Sequence, residues 1–196
     1  MSLVELIARA DERGLTVSGL ACLDRCVSLL DGDDEILRPL WAALAEGSDA
    51  EEWATRLEQI SVKLGAEGAD SPSPSPASAS AESEAELLAR RMLAAAPAIR
   101  SAASVREWAD ACSVAALRIH RLLDASPAGS SSLDAHREGR TEGMSPLVAA
   151  ELRRQTRVLE LLAEHGLGGL RQALAVSTEG RRVLRAVVSR RARGRA

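Results

Sequence analysis

Phenylalanine, tyrosine and asparagine do not occur in this chain, and of its 25 basic residues only Lys63 is a lysine. These four residue types have AT-rich codons, whereas the abundant Ala, Arg, Gly, Leu and Pro have GC-rich ones. The composition points to a GC-rich bacterial genome, which lowers the weight of any arginine cluster or alanine-rich stretch as a sign of function. Aromatics amount to 2%, supplied by Trp41, Trp53 and Trp108, against a hydrophobic fraction of 46% that is largely alanine. At roughly 25 cal/mol per Å² of buried apolar surface, small helical pieces of this composition are marginal alone. They gain much from packing on each other or on a partner.

Other absences narrow the class. No apolar run approaches membrane-spanning length, and MSLVELIARADERG lacks the charged start and apolar stretch of a secretory leader. Three cysteines, Cys22, Cys26 and Cys112, are an odd number without disulfide-scaffold spacing. A cytoplasmic, reduced, soluble protein is expected. No run alternates apolar and polar residues with the β-branched enrichment of a strand, so the fold is predicted to be all-α.

What is present is an uneven charge. The net charge is −3, but Asp31, Asp33, Asp34, Glu35, Asp49, Glu51 and Glu52 make the first part acidic. The end is basic, with Arg181, Arg182, Arg185, Arg190, Arg191, Arg193 and Arg195 against Glu179. Head and tail are expected to attract one another, within one chain or between copies.

Alternating Ser-Pro in residues 65–84 reads as a disordered, semi-stiff spacer. It joins an N-terminal helical bundle, 1–64, to a C-terminal helical unit, 85–178. That unit carries a polar, glycine-containing loop at 126–145, and an Arg-rich helical tail follows at 179–196. Whether the two units dock is left open by the sequence.

Ser2 and Glu5 have capping-box spacing and start a helix predicted to run to Arg13, with Gly14 as its stop. A second helix is expected from Ser18 to Leu30. Pro39 opens a short one bearing Trp41, and Ser48 with Glu51 opens another with Trp53, Leu57, Ile60 and Leu64 on one face. After the spacer come a helix over 85–96 ended by Pro97, and one opened by Ser104 and Glu107 with Trp108, Cys112, Ala115, Ile119 and Leu122 in a stripe. Ser145–Pro146 starts a helix that stops at Gly166. A short helix at 169–176 and a last one from Ser177 complete the prediction. The two Trp-bearing helices also echo each other faintly.

The run ADERGLTVSGL, Ala10 to Leu20, resembles the centre of a helix-turn-helix, with the small residue and glycine that allow a tight crossing. Its would-be reading helix exposes Ser18, Cys22, Asp24 and Ser28 and carries only Arg25 as a cation, too little to neutralise phosphates. Two bundle helices joined by a turn explain it as well. LLAEHGLGGLRQAL, Leu161 to Leu174, departs from that spacing and reads as a helical hairpin.

In EGRRVLRAVVSRRARGRA, Val183, Leu184, Val187 and Val188 share a face surrounded by arginines. Such a helix can meet an anionic membrane, a nucleic-acid backbone or an acidic protein surface; a last bundle helix with a basic fringe is the plainer reading. Cys22 and Cys26 lack two further metal ligands nearby and read as small buried hydrophobes. Residues 31–35, DGDDE, lack the glycine placement of a calcium loop. His120, His136 and His165 are scattered, and no nucleophile elbow, phosphate loop or zinc-protease motif appears.

The expectation is therefore a non-enzymatic, cytoplasmic interaction, adaptor or regulatory protein that needs no cofactor and no metal. Its partner is another protein, with self-association included. The expected partner-binding residues are Arg181, Arg182, Arg185, Arg190 and Arg191, and any exposed part of Trp53 and Trp108. The alternatives are a DNA-associated regulator using the Arg-rich end with the helix-turn-helix-like run, and a helical enzyme whose site does not show in sequence.

Overall fold

A computed structural model describes residues 1–65, 80–125 and 132–194. Its helices are α1 (Leu3–Arg9), α2 (Glu12–Cys26), α3 (Arg38–Glu46), α4 (Ala50–Lys63), α5 (Ala81–Ala94), α6 (Ala102–Leu123), α7 (Leu133–Arg137), α8 (Pro146–His165) and α9 (Leu170–Arg193), with 3-10 turns at Val27–Leu30 and Gly166–Gly169. The described residues contain no strand, and the fold is all-α. No described helix is long and apolar enough to cross a membrane.

Local chemistry sets the boundaries. The Ser2–Glu5 capping box is present in both directions. α1 nevertheless ends at Arg9, because the Asp11 side chain accepts a hydrogen bond from the Gly14 N–H (2.7 Å) and caps a new helix. Gly14 is thus an early residue of α2, where the sequence predicted a stop. Asp49 caps α4, one residue later than Ser48. Ser101 caps α6, and Ser104, predicted as the cap, is its capping-box partner. Gly166, at φ 54° and ψ −128°, stops α8 as predicted.

Two corrections are larger. The predicted break at Ser177 does not occur, and α9 runs unbroken from Leu170 to Arg193. Ser177 faces the interior, and the Thr178 hydroxyl donates back to the Leu174 carbonyl (3.0 Å). Both hydroxyls are satisfied mid-helix, Ser177 by Arg25 Nη1 (3.5 Å). The polar stretch at 126–145 is also not wholly a surface loop: 126–131 lie outside the described residues, but α7 follows, with Leu133 packed on Leu117 and Val148. Of the spacer predicted at 65–84, residues 66–79 lie outside the described residues; Ser80 caps α5, which starts at Ala81.

The docking question has a clear answer. α2 packs against α6, α8 and α9, so helices from both sides of residues 66–79 share one core. Every residue of α2 from Gly14 to Cys26 is buried. This overturns the expected exposure of Ser18, Cys22 and Asp24, and it removes the geometry of a reading helix, which must present side chains to a groove. α2 is the axis of the bundle.

Candidate functional site

Where α2 meets α8 and α9, charged groups converge in the interior. Arg25 and Glu151 both have fully buried side chains. Arg25 Nε donates to Glu151 Oε1 and Oε2 (3.1 and 2.8 Å), and Nη2 donates to Oε1 (2.6 Å). Nη1 reaches the Ser177 hydroxyl (3.5 Å) and Nη2 the Cys22 sulfur (3.4 Å). Gln155 Nε2 donates to Glu151 Oε1 (2.9 Å), and its amide oxygen accepts from the Ser113 hydroxyl (2.7 Å). Ser113 in turn accepts from Arg137 Nε (3.2 Å), and Arg137 pairs with Asp110. One connected network thus ties α2, α6, α7, α8 and α9.

Burial resists ionisation of Glu151, but the charge and hydrogen bonds of the Arg25 guanidinium, with a further hydrogen bond from Gln155, hold its carboxyl below the usual carboxylate range. His120 is wholly buried on α6. Its Nδ1 lies 2.7 Å from the Ala116 carbonyl and so carries the proton there, while Nε2 sits 3.5 Å from Glu151 Oε2 without a hydrogen bond. That approach has ion-pair geometry. Burial nevertheless lowers the imidazole's pKa against the pull of Glu151, and the ring is neutral at neutral pH.

A second knot joins the acidic head to α9. Arg181 Nη1 donates to Asp24 Oδ1 (2.8 Å), and its Nε lies 3.4 Å from Asp34 Oδ1. Burial pushes the Asp24 carboxyl up to about 6, with Arg181 and Arg25 pulling the other way. Asp34 is half exposed and bonds Arg185, which holds its carboxyl below the ordinary value. Arg191 pairs with Glu82 (2.8 Å) and reaches the Leu123 carbonyl (3.4 Å).

These contacts place the residues expected to bind a partner. Arg181, Arg185 and Arg191 are engaged within the chain, so the attraction between head and tail is intramolecular here. Arg182 and Arg190 are exposed on α9. Trp53 and Trp108 have no exposed stripe: both are buried, at 0% and 3% exposure. Trp53 Nε1 donates to the Pro97 carbonyl and Trp108 Nε1 to that of Met92, each at 2.9 Å, and the Arg100 guanidinium lies 5.1 Å from the Trp53 ring. Both rings are core anchors and are unavailable to a partner.

Chemically the interior network is inert as it stands. Arg25, Glu151 and His120 have no solvent-exposed side-chain surface, so no substrate reaches them in this fold. The three cysteines are buried thiols, and burial pushes that of Cys22 up to about 12, far from a thiolate nucleophile. Among the described residues no three His, Cys, Asp or Glu side chains are grouped to hold a metal ion. The network was missed in sequence because Arg25 and Glu151 lie 126 residues apart. One local sign existed: Gly180 interrupts the good helix formers of α9, and a Cβ there would overlap the Arg25 side chain. Compared with known protein families, curated proteins and solved structures, the chain matches none.

Proposed function

We propose that this chain is a helical protein-interaction module of the adaptor or regulatory kind, acting by binding rather than by catalysis. The observation that carries this reading is a contrast in exposure. The converging ionisable groups are sealed and mutually paired, while an apolar groove lies open between α3 and the start of α9. A binding surface needs accessible apolar area with polar edges; a catalytic site needs accessible reactive groups. Use of the Ser/Pro segment as a tether between two separately binding units would require the shared core to come apart. The binding body is therefore taken as the whole bundle.

In-cell cross-linking followed by mass spectrometry tests the reading on the full chain. Recovery of one protein cross-linked reproducibly to defined surface residues is expected, and recovery of none overturns it. Deleting 177–196 is a poor probe, because it removes the buried Leu184 and Arg181.

The DNA-associated reading keeps one supporting observation. Arg190 and Arg193 project from the end of α9, exposed and without an ion pair among the described residues. Gel-shift at two salt concentrations distinguishes it, since phosphate-driven binding weakens steeply with salt.

A further inference from the structure

The groove between α3 and α9 encloses ≈ 330 Å³. One wall is α3, with Trp41, Ala42 and Ala45; the other is formed by Leu167, Leu170 and Leu174. The two alanines keep the α3 wall low. Leu167 is 50% exposed, an uncovered leucine beside other apolar side chains. Each wall also carries one arginine, Arg38 on α3 and Arg171 on α9. Arg171 is exposed and makes no ion pair among the described residues, and Arg38 holds only a solvent-exposed pair with Glu35. The Trp41 Nε1 is buried and has no acceptor among the described residues.

We infer that this groove receives an amphipathic helix of a partner protein, with leucine-like anchors along one face and acidic side chains flanking them. The inference rests on the protein-binding reading and gives it a surface and a chemistry. Two arguments select the occupant. Leu167 on the 3-10 turn and Leu170 and Leu174 at the start of α9 follow one another three and four residues apart along that wall. An incoming amphipathic helix meets such a row with its own i, i+3/i+4, i+7 anchors. The rim is cationic on both sides, on a molecule whose net charge is −3. Carboxylates beside the apolar anchors therefore find opposite charge at this groove, and basic flanks are repelled.

The probe is a displayed library of helical peptides with leucines at i, i+4 and i+7 and with acidic, neutral or basic flanks, selected on the full-length protein. Enriched peptides are then measured by fluorescence anisotropy. Acidic-flanked peptides should dominate, and the double variant Arg38→Glu, Arg171→Glu should weaken them at least tenfold. Leu167→Glu should abolish binding. All three positions are on the surface, and circular dichroism with thermal melting verifies that each variant folds as the parent does.

Equal enrichment of acidic and basic peptides overturns the inference, as does unchanged affinity after the charge reversal. Binding of laurate, a simple acyl anion, in the absence of any selected peptide also overturns it, since the groove would then serve a small amphiphile. If peptides fail while a captured partner cross-links elsewhere, the groove inference falls and the protein-binding reading stands. If cross-linking finds no partner, that reading falls first.

Discussion

On one side of α2, Gly19 lets the Trp108 ring lie against the helix backbone; on the other, Arg25 passes beside Gly180 of α9 to reach Glu151. Both seams use a missing Cβ to admit a large side chain, and both bury it completely or nearly so. Their energetics differ. The Trp108 seam removes apolar area from water and satisfies the indole N–H, so it stabilises the fold directly. The Arg25 seam takes two charges out of water, and their attraction does little more than offset that desolvation. What the ion pair adds is position: Glu151 ties α8 to α2, and Arg25 also reaches Ser177 of α9.

The largest effects test this difference head on. Trp108→Ala should destabilise the protein by about 3–5 kcal/mol in urea denaturation, and Glu151→Ala should do so by a similar amount because it strands the Arg25 charge. The seams separate in the rescue. The double substitution Arg25→Met, Glu151→Leu should recover most of the lost stability; if it stays as unstable as Glu151→Ala, the ion pair is a direct stabiliser and the contrast fails.

The glycines come next. Gly19→Ala and Gly180→Ala should each cost about 1–3 kcal/mol from overpacking. In an Arg25→Ala background the Gly180→Ala penalty should shrink while that of Gly19→Ala is unchanged, a coupling that a double-mutant cycle measures.

Acidity provides a smaller effect with a defined sign. The Asp24 carboxyl is raised in the folded protein to about 6 from 3.8. Its contribution is therefore fully present below pH 3.8 and lost as pH rises through about 6. Relative to wild type, Asp24→Asn should be more stable at pH 7 than at pH 5 by about 1 kcal/mol. His120 acts in the opposite sense, since its lowered pKa gives stability above the usual imidazole value that is lost on acidification. Comparing wild type with Asp24→Asn at both pH values cancels that background. The smallest effect belongs to the exposed fringe: Arg185→Ala should change stability by less than about 1 kcal/mol, and by less still in high salt.

Much of the local architecture was legible. Ser2, Ser145, Pro146 and Gly166 announce helix ends through hydrogen bonding and backbone geometry that involve only near neighbours. The Trp53–Leu57–Ile60 and Trp108–Cys112–Ile119 rows are buried as their spacing implies. The errors cluster where a distant partner outweighs a local signal. Ser177 looks like a cap, but Arg25 and the interior keep it mid-helix. The 132–145 stretch looks like loop, but Leu133 finds a hydrophobic niche and Arg137 reaches Asp110 and Ser113. The candidate site shows the same division. Arginines on α9 were visible as a cationic face, yet that Arg181 turns inward to Asp24 while Arg185 and Arg191 pair nearer the surface with Asp34 and Glu82 depends on segments far from α9 in the chain.

By itself the sequence determined an all-helical chain, most of its caps and stripes, and a pull between an acidic head and a basic tail, because these depend on neighbouring residues and on charge. Only the tertiary structure decided that both segments share one core, that Arg25 and Glu151 meet inside it, and that an Arg-flanked apolar groove remains outside. Those outcomes turn on which faces meet across a hundred or more residues, and helical periodicity shows that a face is apolar without showing what covers it.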